Sequence, residues 1–139
     1  MLTEISSRCD AVEECYEFLL AYAAQGLPSD QGSTSGGQVR EFLQRAVKAL
    51  TGLARICGMA VTREGLEPAD KYLAFLAVLD RDARDSLAAV ELVLAQPAIS
   101  SQLIDNLNAS IHLRALLTDL FLIDEILKPQ RIQAKSVII

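Results

Sequence analysis

GLPSDQGSTSGGQ, residues 26–38, is the stretch on which the fold turns. A glycine-rich segment that leaves a β-strand and opens a helix is a phosphate cradle in an α/β domain, whereas the same composition between two helices is a crossover. Gly32 and Gly37 keep the G-x-x-x-x-G spacing, but Gln38 and Val39 stand where a phosphate loop carries Lys and Ser or Thr. The cation and the magnesium-binding hydroxyl are both missing. Upstream, Ile5, Cys9, Val12, Tyr16, Leu19 and Ala23 recur in alternating fours and threes, the rhythm of one helical stripe. The stretch is therefore expected to be a long, mobile crossover between helices.

Working outward, the same rhythm places a first helix over residues 3–25. Val39, Leu43, Ala46, Leu50, Leu53, Cys57 and Ala60 place a second over 38–62, weakened by Gly52 and Gly58. Gly65 suits a C-terminal cap and Pro68 the first turn of a third helix, 68–95, with the stripe Ala69, Leu73, Leu76, Ala83, Leu87, Val90 and Leu94. Asp80 falls where that stripe wants an apolar residue. Gln96-Pro97 closes this helix, Ser100 or Ser101 caps a fourth, and the fourth ends near Lys128 before Pro129. The expectation is an all-α, antiparallel up-down-up-down four-helix bundle of residues 1–128, with 129–139 (PQRIQAKSVII) as a C-terminal tail. Acids on the first helix (Asp10, Glu13, Glu14, Glu17) and cations on the second (Arg45, Lys48, Arg55) are expected to pair across the crossover.

Composition narrows function. The 139 residues are 51% hydrophobic and 5% aromatic with a mean hydropathy of +0.27, more apolar surface than one small bundle hides. Self-association, or docking on another protein, is expected to cover the rest. The fourth helix is apolar almost all round, so Leu116, Leu120, Phe121, Ile123 and Leu127 are the interface candidates, together with Val137, Ile138 and Ile139 at the chain end. The net charge of −5 argues against nucleic-acid binding. The longest uncharged apolar run, residues 72–79, is too short for membrane insertion. Three cysteines without a CxxC unit, and an N-terminus without a signal-peptide pattern, read as a cytoplasmic chain. Cys9 and Cys57 are expected to face each other as buried thiols.

Chemistry has few residues to build on. His112 is the one histidine, and Ala109 rather than Glu precedes it by three, which excludes a ferritin-like di-metal site. Arg81-Asp82-Ala83-Arg84-Asp85 has no histidine a few residues downstream, which excludes a HEPN-type ribonuclease. Glu13-Glu14-Cys15-Tyr16-Glu17 with Glu67-Pro68-Ala69-Asp70 resembles a fragment of the pattern in all-α nucleoside triphosphate pyrophosphohydrolases. That resemblance implies magnesium held by Glu13, Glu14, Glu17, Glu67 and Asp70 against a nucleotide's phosphates. Its second motif lies about fifty residues after the first and opens on a proline at a helix start. The reading preferred over it is a regulatory or interaction module without catalytic residues, cofactor or metal, acting as a homodimer. A small-molecule binder with a pocket inside the bundle is the remaining alternative.

Overall fold

The computed structural model describes residues 1–138, with side chains through Gln133. It is all-α. Its helices are α1 (Leu2–Ala24), α2 (Thr34–Leu50), α3 (Leu53–Arg63), α4 (Ala69–Leu94), α5 (Ser101–Ala109) and α6 (Ile111–Ile138). Among the described residues no helix is long and apolar enough to cross a membrane.

Two of the four expected helices are broken. The segment expected as one helix over 38–62 is α2 and α3, divided where Thr51 turns extended (ψ 116°) and Gly52 adopts φ +75°. Glycine is suited to that left-handed conformation because it has no Cβ to clash. Thr51 Oγ1 donates back to Val47 O at 2.7 Å, which satisfies a carbonyl at the end of α2. The segment expected over 100–128 is likewise α5 and α6. Ser110 is extended (ψ 140°), and its Oγ accepts the Leu113 N–H at 3.3 Å as the cap of α6.

At the C-terminus the expected tail is helical, since α6 runs through Pro129 to Ile138. Proline deletes one backbone donor, and the carbonyl so released belongs to Glu125, an exposed residue at which the lost hydrogen bond costs little. Arg131 pairs with Asp124 across the proline at 3.1 Å. Leu127 is the last buried residue of α6 among those described.

The core is one continuous cluster. α1 packs against α2, α5, α6 and α3, and α4 packs against α6, α3 and α2. From α1 it takes Ile5, Cys9, Val12, Cys15 and Leu19, and from α6 Leu116, Leu120, Ile123 and Leu127. The stripe of α4 is shifted from its expected phase: Leu76, Leu79, Ala83, Ser86, Val90 and Val93 face inward, while Leu73 is 51% exposed and Asp80 leaves the apolar side. Ser86 is tolerated inside because its hydroxyl donates to His112 O at 2.9 Å.

The expected acid–base pairing of α1 with α2 does not form. Arg8 instead donates to the carbonyls that end α2, Ala49 O at 3.1 Å and Thr51 O at 2.7 Å. Arg45 lies over the Phe42 ring at 4.3 Å. A guanidinium at a helix C-terminus meets unpaired carbonyls and the negative end of the dipole together, which competes well against an exposed carboxylate.

The opening stretch is a crossover fastened at several points. Asp30 Oδ1 accepts the Ile99 N–H at 2.7 Å, and Asp30 Oδ2 accepts from Arg40 Nε at 2.8 Å. Arg40 spends its other nitrogens on Leu94 O and Gln96 O, at 2.9 and 2.8 Å. Tyr22 donates to Ile99 O at 2.6 Å, and Ser101 Oγ donates to Tyr22 O while accepting the Leu27 N–H at 2.9 Å. These bonds clasp the α1–α2 connection to the α4–α5 connection. Ser33 caps α2 by accepting the Gly36 N–H at 2.9 Å, and Gly36 passes so close to the Asp30 carbonyl that a Cβ would collide with it. The glycine is a packing requirement.

Candidate functional site

The α4–α6 pair presents an outer face with an order of its own. On α4, Lys71, Phe75, Val78 and Asp82 are spaced by four, three and four, which aligns them along one flank of the helix. On α6, Asp119, Leu122 and Ile126 are likewise spaced by three and four. The two helices run antiparallel: Ser86 meets His112, and Asp82 meets Asp119. Val78, Leu122 and Ile126 are 38, 49 and 41% exposed. A shallow groove of about 190 Å³ lies between Lys71, Tyr72, Phe75, Ile123 and Ile126.

At the other end of this face sits a pair of carboxyls. Asp119 is only 8% exposed, and no cation pairs with it or with Asp82 among the described residues. Burial, then the hydrogen bond to Asp82, then the Asp82 charge push the Asp119 carboxyl up to about 7. A buried carboxyl beside a second acid holds its proton more tightly than one in water. Asp119 Oδ2 is buried and has no hydrogen-bond partner. The face thus ends on two aspartates, Asp119 buried and Asp82 half-buried, without a cationic partner among the described residues.

The residues singled out from sequence fall elsewhere. Leu116, Leu120, Ile123 and Leu127 face the core, because an α6 that packs against α4, α1 and α5 consumes their sides of the helix. Phe121 is 53% exposed but lies round the helix from Asp119, Leu122 and Ile126. Ile139 lies outside the described residues, as do the side chains of Val137 and Ile138. The surface residues of α6 that the apolar-all-round reading passed over are Leu122 and Ile126.

The carboxylates of the pyrophosphohydrolase-like pattern do not gather. Burial first, then Asp124, Asp10 and Glu17, raise the Glu13 carboxyl above its ordinary value. Glu67 accepts the Ala69 N–H at 3.3 Å, and Asp70 faces Lys71 at 4.0 Å. Among the described residues no group of three or more His, Cys, Asp or Glu side chains is placed to hold a metal ion. His112 is half-exposed and faces Asp85 at 4.0 Å. A gap between Val12, Cys15, Leu43, Val90 and Leu113 measures about 10 Å³, far below what a small-molecule ligand needs.

Cys9, Cys15 and Cys57 are free and buried. Burial pushes the thiols of Cys9 and Cys15 up to about 12 and that of Cys57 to about 11, and Cys57 is near enough to Cys9 to add to its shift. No family model, curated protein or solved structure matches this chain. The one sequence signal that could have found the acid pair was the helical spacing from Lys71 to Asp82 and from Asp119 to Ile126, which sorts both aspartates onto facing flanks.

Proposed function

We propose that this chain is a cytoplasmic protein–protein interaction module that self-associates as a homodimer through the outer face of α4 and α6. Its scaffold, on this reading, is four rods in up-down-up-down order: α1, α2 with α3, α4, and α5 with α6. Contacts between rod ends support that order, since Arg8 of early α1 reaches the end of α2 and Arg40 of early α2 reaches the end of α4.

The observation that carries the proposal is the layout of the face. An acid pair stands at one end, apolar residues (Val78, Leu122, Phe75, Ile126) fill the middle, and Lys71 stands at the other end. Turned by a two-fold axis through its middle, such a surface is complementary to itself, as an isologous interface requires. Exposed apolar side chains clustered between charged ends gain stability when a second copy covers them.

Sedimentation velocity over a concentration series tests this. The native chain is expected to sediment as a dimer and Val78→Glu as a folded monomer, because the exposed position tolerates the charge until a second copy approaches. A native chain that stays monomeric throughout, or a Val78→Glu dimer, would refute it.

A further inference from the structure

We infer that the groove between the start of α1 and the end of α2 binds a small organic phosphate monoester, with Arg45 and Lys48 holding the phosphate and the helix surfaces holding its apolar body. The groove is built from other helices than the α4–α6 face, so the inference stands apart from the self-association.

Helical spacing sets the walls. Glu4, Ser7, Arg8 and Ala11 share one side of α1, and Arg45, Lys48 and Ala49 share one side of α2. The two helices run antiparallel, since Arg8 near the start of α1 reaches Thr51 at the end of α2. Between them lies an open groove of about 420 Å³, a volume in the range of small-molecule sites.

Its charge is the reverse of the chain's. The chain carries a net −5, whereas the groove has Arg8, Arg45 and Lys48 against the single acid Glu4. Arg8 is already committed. Its Nη2 donates to Glu4 Oε1 at 3.1 Å, and its Nη1 donates to Ala49 O at 3.1 Å and Thr51 O at 2.7 Å. What it offers an anion is cover for the α2 carbonyls, the dipole end that would otherwise repel negative charge. Arg45 and Lys48 are uncommitted: both are exposed, and among the described residues no oxygen accepts from the side-chain nitrogens of either.

Arg45 is nonetheless held in place. Its guanidinium carbon lies 4.3 Å from the centre of the Phe42 ring, and that ring stacks on Phe18 of α1, also at 4.3 Å. Cation–π attraction fixes a guanidinium without spending its N–H donors on an acceptor oxygen. Lys48 follows one turn along the same side of α2. A held planar fork beside a free ammonium suits a phosphate monoester, which at pH 8 carries about two negative charges on three acceptor oxygens. A carboxylate brings one charge and two oxygens. The floor favours an organic ester over bare phosphate, because Ala49 is buried, Ala11 is half-buried, and both present only methyl groups. An apolar body laid on them adds burial to the charge-assisted bonds.

The test is a titration of the full chain with phenyl phosphate at pH 8, followed by proton–nitrogen correlation NMR and by calorimetry. Saturable shifts are expected at the amides of Ser7, Ala11, Lys48 and Ala49, with one ligand bound per chain. Inorganic phosphate and benzoate are each expected to bind at least about tenfold more weakly, since the first lacks the apolar body and the second lacks the second charge. The double variant Arg45→Gln with Lys48→Gln is expected to lose at least about tenfold in affinity. Ser7→Glu, which adds a carboxylate to the groove wall, is expected to lose at least about threefold. Arg63→Gln, which removes an exposed cation at the end of α3, should bind as the native chain does and so separates the site from overall charge. All four substituted positions are exposed, and circular dichroism checks that the variants fold. Absence of saturable binding overturns the proposal, as does binding indifferent to the double variant. Benzoate or inorganic phosphate binding as tightly as phenyl phosphate overturns the assignment of an organic phosphate.

Discussion

Asp30 Oδ1 accepts the Ile99 N–H at 2.7 Å, joining two connecting segments that are 69 residues apart in the chain. Burial alone would raise the Asp30 carboxyl, but the Ile99 N–H and the Arg40 guanidinium outweigh it and hold the carboxyl below its ordinary value. Such a group contributes stability that is present above the unfolded-state value and lost as pH falls through the folded one. Replacing Asp30 by Ala is expected to lower the unfolding free energy by about 1–3 kcal/mol at pH 7 and by less at pH 3. Urea denaturation at the two pH values measures the difference.

Two adjacent glycines in the first turn of α2 meet opposite surroundings. Gly36 has the Asp30 carbonyl where a Cβ would stand, whereas Gly37 has open space. Gly36→Ala is expected to cost about 1–3 kcal/mol, because either the α2 cap or the Asp30 clasp must shift. Gly37→Ala is expected to stabilise by about 0.5–1 kcal/mol through helix propensity. Thermal melts of the two variants decide; equal shifts of the same sign would contradict the close approach.

Asp119→Asn isolates the proton held by the buried Asp119 carboxyl. The native carboxyl, raised to about 7 when folded, holds a proton that the unfolded chain releases near its ordinary value of 3.8. Native stability therefore falls as pH rises from about 4 to about 7, and the cost is fully present above that. Asn cannot ionise, and its amide N–H can donate to Asp82. The variant is expected to lose that slope and to be more stable than the native chain at pH 8, by about 1–3 kcal/mol. A pH series of denaturation curves checks it.

Burial and raised thiol values together make Cys9, Cys15 and Cys57 poor nucleophiles in the folded chain. A thiol reagent at pH 8 is expected to leave all three unmodified until denaturant is added. Rapid labelling under native conditions would show that the α1 core opens locally.

Helix existence was legible because burial imposes a period, and Ile5, Cys9, Val12 and Leu19 keep it faithfully. The breaks at Thr51-Gly52 and Ser110 were not. A helix tolerates Thr, Gly or Ser at small cost, and only packing decides whether such a residue bends out. The phase of α4 slipped for a similar reason: Ser86 is buried because a carbonyl on α6 satisfies it, and no local pattern announces that carbonyl. The clasp of Asp30, Arg40, Tyr22 and Ser101 was illegible in the Gly/Ser composition, since its partners lie in another connection. The acid pair hid for a further reason. Asp82 sits in a charged run and Asp119 in an apolar one, and each looks ordinary until α4 and α6 are laid side by side.

Short bis-maleimide cross-linking of a Val78→Cys chain reads out whether two copies meet over the middle of the α4–α6 face. The three native thiols are buried, so the introduced one reacts alone, and Leu20→Cys on α1, at a site 48% exposed, is the control. The expected result is a covalent dimer from Val78→Cys at pH 8 and none from Leu20→Cys. Labelled but uncross-linked Val78→Cys, or cross-linking at position 20 instead, would contradict it.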